Sequence, residues 1–342
     1  MQIEQMILNE ERNVSLTSYI QDVGGEYAYV SKRPAILVVP GGGYQMCSDR
    51  EAEPVALAYA KAGFQAFVLR YSIKENAKWP QPLVDYELAM EIIQGNSEKW
   101  KLDPDRVAAI GFSAGGHLVG CAATMAKNRP NAVILGYPVL IGEDAQKCND
   151  TAPDVISAVS RDTAPSFVFA SRRDNVVPIV NATRYIQALA EHDVAFESHI
   201  YAYGPHGFSL ADTAIQSPDT IMCKRIPEWV DDSVMWLKET LGDYSQNGFT
   251  KPIYRKHMTD DEEEYYSIYC SLPYLMMNEK TKNIVNARVQ QMASFIGAHE
   301  VTSQSLSQSL GIMTMFDLMT IMQESEHEII DIDIQLRKIN KK

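Results

Sequence analysis

The pentapeptide Gly111-Phe112-Ser113-Ala114-Gly115 continues as Gly116-His117-Leu118 and follows the apolar run VAAIGF at 107–112. A serine in G-x-S-x-G between a strand and a helix sits on a tight turn, where the flanking glycines let the two elements approach without an intervening Cβ. A hydroxyl held there can attack a carbonyl carbon if a base takes its proton and a carboxylate orients the base. The pentapeptide alone is a weak signal, and an ordinary turn with a buried serine would share it. Its partners elsewhere in the chain decide the matter.

Pro40-Gly41-Gly42-Gly43-Tyr44 directly follows another apolar run, AILVVP at 35–40. Three successive glycines allow backbone N–H groups to converge on one point, as the oxyanion of an acyl-transfer intermediate requires. The donors expected are Gly42 or Gly43, which the sequence does not separate, together with the N–H of Ala114 at the positive end of the helix after the serine. A phosphate-binding loop is the rival, but neither G-K-[ST] nor G-x-G-x-x-G occurs here. The expected carboxylate is Asp174, in Arg173-Asp174-Asn175-Val176-Val177-Pro178 just past the run SFVFA. The expected base is His206, in Gly204-Pro205-His206-Gly207-Phe208 just past FESHIYAY. Both follow strands, at the edge of a sheet where sites assemble, and their chain order is Ser, Asp, His. Asp162 competes as the acid but precedes its strand, which would put it at the wrong end. His117, His192 and His199 lie within or beside elements and read as structural, and His257, His299 and His327 as surface residues.

These residues need strands and helices to hold them. Apolar runs at 35–40, 65–71, 107–112, 132–137, 166–170 and 196–203 mostly lack polar alternation, the pattern of strands covered on both faces. Helical stretches at 51–62, 82–94, 114–126, 181–190 and 229–241 fall between and after them. This alternation predicts an α/β fold with a mostly parallel sheet wrapped by helices. The pattern stops near 245, so the expected division is a catalytic domain at 1–245 and a helical extension at 246–342. The acidic run within 259–265 reads as a solvated linker or helix start. Beyond it Val285, Val289, Met292 and Ile296 form a helical stripe, and Thr314 with Asp317 resembles a capping box.

Composition narrows the class. With 46% apolar residues in a chain of 342, a sizeable core can form. A net charge of −13 argues against nucleic acid, which demands clustered Lys and Arg. No stretch approaches about 18 consecutive apolar residues, so no membrane span is expected. The N-terminus lacks a signal-peptide pattern, and five scattered cysteines suit reduced thiols, which together predict a cytoplasmic location. No metal-ligand spacing is present, and no cofactor is expected.

PGGGY, Arg70-Tyr71-Ser72, Leu102-Asp103-Pro104-Asp105-Arg106-Val107, GFSAGGHL, DNVVP and GPHGFSLA occur in one order. Together they resemble the alpha/beta-hydrolase serine esterases, among them acetyl esterases, xylan esterases and prolyl-oligopeptidase-like hydrolases. The resemblance spans roughly residues 35–241. It implies Ser113, Asp174 and His206 as a catalytic triad, Gly42, Gly43 and Ala114 around the oxyanion, and hydrolysis of short-chain, acetyl-type esters of small molecules, sugars included. Two departures stand out: a short segment between Tyr137 and Pro165, and the helical extension, for which a homodimer contact is one expected use. The alternatives are a peptidase of the prolyl-oligopeptidase type and a non-catalytic hydrolase-fold binding module.

Overall fold

The computed structural model describes residues 1–295 and 311–341. His299 lies outside them, and so do Ile296 of the expected tail stripe and the side chain of Met292.

Eight strands form one sheet: β1 (Gln2–Asn9), β2 (Val14–Ile20), β3 (Arg33–Val39), β4 (Gln65–Arg70), β5 (Leu102–Phe112), β6 (Ala132–Gly136), β7 (Ser166–Ser171) and β8 (Phe196–Tyr201). Their spatial order is β1-β2-β4-β3-β5-β6-β7-β8, and only β2 runs against its neighbours. The helices that accompany this sheet are α1 (Glu53–Lys61), α2 (Gln81–Gly95), the single turn α3 (Ser97–Trp100), α4 (Ser113–Met125), the single turn α5 (Gly142–Ala145), α6 (Val180–Glu191) and α7 (Trp229–Leu241). The unbroken apolar runs are explained by the two cores. Alternate residues of a strand point to opposite faces, so Leu37 and Val39 join α2, α4 and α6 on one side. Ile36 and Val38 join α1 and α7 on the other. Both faces of β3 to β7 are thereby buried, as a parallel sheet requires.

The hairpin β1–β2 was not expected from the sequence. β1 is a largely exposed edge strand, and β2 buries Ser15, Thr17 and Ser18 beside Val14 and Leu16. Neither stretch has the apolar continuity that marks the central strands. β5 also starts earlier than the apolar run. Leu102 pairs with Arg33 before the register shifts and resumes at Val107 opposite Ala35.

The described chain separates into two compact units, Met1–Lys256 and His257–Lys342, so the division falls beyond the expected 245. Residues 246–256 are tied into the first unit. The Arg106 guanidinium lies 4.3 Å over the Phe249 ring, and Ala195 N–H donates to Lys256 C=O at 2.7 Å. The second unit has its own core of Tyr266, Leu272, Leu275, Val285, Val289, Met315, Leu318, Met319, Ile332 and Leu336. Both Thr314–Asp317 and Ser325–Glu328 form reciprocal capping boxes at helix starts. The acidic run is not a solvated linker throughout. Asp260 is buried and accepts from the Ser267 hydroxyl at 2.6 Å, and Asp261 accepts from both the N–H and the hydroxyl of Ser271.

Candidate active site

Ser113 opens α4 immediately after β5, with a left-handed φ of 51°. A non-glycine residue in that region is strained by roughly 1–3 kcal/mol and persists only where its surroundings enforce it. Here the enforcement is close packing. A Cβ on Gly111 would lie 2.3 Å from the carbonyl oxygen of Gly115, and one on Gly115 would lie 2.2 Å from that of Val39. The two motif glycines therefore let β3, β5 and α4 converge beneath the serine.

Ser113 Oγ lies 2.8 Å from His206 Nε2, and His206 Nδ1 lies 2.7 Å from Asp174 Oδ2. Asp174 is reached by the turn after β7, and its Oδ1 accepts the N–H groups of Val176 and Val177 at 2.8 Å each. Those two bonds fix the carboxylate plane, and its side chain is only 2% exposed. Asn175 Oδ1 accepts the backbone N–H of His206 at 3.1 Å, tying the turn after β7 to the loop after β8. The three residues expected from the sequence thus form one hydrogen-bonded chain. Asp162 stands before β7, at the opposite end of that strand from Asp174, and takes no part in it.

The glycine loop leaves β3 with positive φ at Gly42 (129°) and Gly43 (61°), and a Cβ on Gly42 would strike the Met46 carbonyl oxygen at 2.3 Å. The Gly41 N–H is committed to Glu51 Oε2 at 2.8 Å. The N–H groups of Gly42, Gly43 and Ala114 take part in no hydrogen bond found among the described residues. Gly42, Gly43, Ser113 and His206 all line one open cavity of about 610 Å³. Val139, Val176, Val177 and Pro178 give it an apolar wall, and Asp144, Lys147, Arg50 and Asn175 add charged and polar groups.

Several residues of this neighbourhood were not singled out from the sequence. Glu51 is buried, lines the cavity, and accepts from the Tyr137 hydroxyl at 2.6 Å. Tyr137, just past β6, has a φ of 36° and sets its ring edge-on to His206 at 5.0 Å. Burial raises the Glu51 carboxyl above its ordinary range, opposed by its bonds to Tyr137 and Gly41. Glu51 stands among Asp49, Arg50 and Glu53, and nothing in that polar string distinguishes it. His117 is buried and structural, as expected. Its Nε2–H donates to the Pro153 carbonyl at 2.9 Å, leaving Nδ1 to accept the Tyr44 hydroxyl at 2.7 Å. Burial lowers its pKa to about 4. His199 pairs with Glu197 and Asp232, His192 bonds the Ala188 carbonyl, and His327 is exposed beside Asp331.

The BD-FAE family model matches residues 26–133, which span the glycine loop and Ser113 but stop before Asp174. The crystal structure of MGS-M1, an alpha/beta hydrolase from a Medee basin deep-sea metagenome library, is 42% identical. It superposes with a TM-score of 0.66 over 70% of this chain and 98% of its own. The acetyl ester-xyloside bifunctional hydrolase of Caldicellulosiruptor lactoaceticus is 31% identical with a TM-score of 0.58, over 66% of this chain and 88% of its own. An acetylxylan esterase of Xylanibacter ruminicola is 38% identical over 109 residues, 31% of this chain and 22% of that protein. The chain belongs to the alpha/beta hydrolases, and the relatives around it include named esterases. It spans only 33% and 22% of the length of the first two curated relatives it matches.

Proposed function

We propose that this chain hydrolyses short-chain carboxylic esters, acetyl groups on sugars among them, with Ser113 as nucleophile, His206 as general base and Asp174 as orienting acid. The observation that carries the reading is the unbroken Ser113–His206–Asp174 hydrogen-bond chain facing an open cavity. With Nδ1–H donated to Asp174, Nε2 is free to take the Ser113 proton as Oγ attacks the ester carbonyl. Asp174 then steadies the imidazolium. The tetrahedral oxyanion falls to the N–H groups of Ala114 and of Gly42 or Gly43, each donor being worth roughly 3–4 kcal/mol. His206 returns its proton to the leaving alcohol, and a second cycle with water releases the acid.

The sugar-acetyl part of the proposal draws on the relatives named for acetylxylan and acetyl-xyloside chemistry. It also draws on the segment between Tyr137 and Pro165. Among the cavity-lining residues this segment supplies Asp144, Lys147 and Cys148 beside a single large apolar residue, Val139. Such a wall suits a hydroxylated leaving group and a small acyl group better than a long chain. Among the described residues no helix is long and apolar enough to cross a membrane.

The test is hydrolysis of 4-nitrophenyl esters from acetate to octanoate, alongside acetylated xylo-oligosaccharides and amino-acid amides. Ser113→Ala is expected to lose about a thousandfold or more in kcat, and Asp174→Ala about a hundredfold or more, while Asp162→Ala stays near wild type. A folded Ser113→Ala protein keeping a tenth of the activity would refute the nucleophile. Amides cleaved faster than esters would favour a peptidase, and kcat/KM rising steadily to octanoate would refute the acyl preference.

A further inference from the structure

Glu51 closes a single turn, Asp49–Glu51, between the glycine loop and α1. Glu51 is 3% exposed, and both of its carboxylate oxygens are engaged. Oε2 accepts the Gly41 N–H at 2.8 Å and Oε1 accepts the Tyr137 hydroxyl at 2.6 Å. The Tyr137 oxygen in turn accepts the backbone N–H of Ser209 at 3.1 Å, so its own proton is directed at Glu51. Two donors on two oxygens match the ionised form, which accepts on both. The carboxylate also flanks the nucleophile. A Cβ built on Gly41 would lie 2.8 Å from Glu51 Oε2 and 3.0 Å from Ser113 Cβ. On the other side the Tyr137 ring meets His206 at 5.0 Å and Phe208 at 4.7 Å. Ser209 returns to the same turn through its hydroxyl on the Arg50 carbonyl at 2.5 Å.

Three segments that acyl transfer must hold in register, the glycine loop, the end of β6 and the His206 loop, thus meet at one buried carboxylate. Resting on the function proposed above, we infer that Glu51 is a positioning residue. It anchors the oxyanion loop through Gly41, fixes the Tyr137 ring against His206, and supports the imidazolium with its charge. The groups facing it are Tyr137, Tyr71, His206 and Arg50. Arg50 and His206 favour its ionised form, against the burial that opposes it. A nearby anion stabilises the positive charge that the imidazole carries in the transition state, so removing it slows the chemical step rather than substrate binding. The loss should therefore fall on kcat and not on KM when Glu51 loses its charge.

The experiment compares wild type, Glu51→Gln and Tyr137→Phe on 4-nitrophenyl acetate across pH 4–9, with melting temperatures for each. Glu51→Gln keeps the shape and an acceptor for Gly41. It is expected to lower kcat about tenfold or more with KM within about threefold. Tyr137→Phe keeps the ring but cuts the link, and is expected to lose severalfold in kcat. A Glu51→Gln protein with kcat within about twofold of wild type overturns the inference. So does a KM that rises as much as kcat falls, since that describes a carboxylate that only shapes the pocket. If Glu51→Gln does not fold, Tyr137→Phe decides: unchanged kcat overturns the inference. A wild-type protein inactive on every ester would sink the functional reading itself. Active wild type with dead Ser113→Ala and normal Glu51→Gln would sink only this inference.

Discussion

His117 shows how a residue of the serine motif can serve the site without touching chemistry. It lies one turn into α4, completely buried, and ties Tyr44 of the glycine loop to the Pro153 carbonyl. Desolvation dominates its titration, with the Pro153 bond and Asp154 opposing, and the net pKa is about 4 against 6.5 for a free imidazole. The unfolded chain therefore takes up this proton near 6.5, whereas the folded chain resists until about 4. The neutral residue's contribution is complete above 6.5 and is lost as pH falls from about 6.5 to about 4, up to roughly 3 kcal/mol. Denaturant unfolding at pH 7 and pH 5 checks this: wild type should lose about 2 kcal/mol more than His117→Gln over that interval. Equal losses would show that His117 titrates normally.

At the scale of elements, the site depends on how closely α4 rides over β3. The Gly115 position meets backbone oxygens of Val39 and Pro40 at 2.2 and 2.3 Å, atoms that no side-chain rotation can clear. Gly115→Ala should accordingly destabilise by about 2 kcal/mol or more and reduce activity, because α4 carries both Ser113 and the Ala114 N–H. Gly95, the last residue of α2, has nothing within 4 Å of its would-be Cβ and no positive φ. There an alanine should be neutral or stabilise by up to about 1 kcal/mol. Urea midpoints of the two variants test the contrast, and similar midpoints would refute the packing argument. The strand-to-helix turn was legible in the sequence because the glycines bracket the serine on an apolar run. The hairpin β1–β2 was not, because an exposed edge strand and a partner rich in buried Ser and Thr lack that signature.

The whole molecule comprises two compact units with separate cores, and every residue proposed for the chemistry lies in the first. We propose that the first unit is sufficient for ester hydrolysis. A protein ending at Lys256 should fold cooperatively and keep kcat within about threefold of full length. One ending at 245 should be markedly less stable, since it forfeits the Arg106–Phe249 contact and the bonds Ala195 N–Lys256 O and Ile253 N–Glu239 O. Aryl-acetate kinetics and thermal unfolding measure both. A folded 1–256 protein slowed a hundredfold would assign the second unit a part in the active site.

The sequence alone marked the alternation of strands and helices and the strand-end positions of Ser113, Asp174 and His206, because apolar continuity and turn chemistry are local properties. It also marked the glycine loop, although not which of its N–H groups are already spent. Only the tertiary structure showed that the Gly41 N–H is bonded to Glu51 while those of Gly42 and Gly43 take part in no hydrogen bond among the described residues. Only the tertiary structure could set Glu51 apart from Asp49 and Glu53, or bring Tyr137 against His206. A carboxylate becomes special by being buried against partners distant in the chain, and burial is a property of packing that no local pattern records.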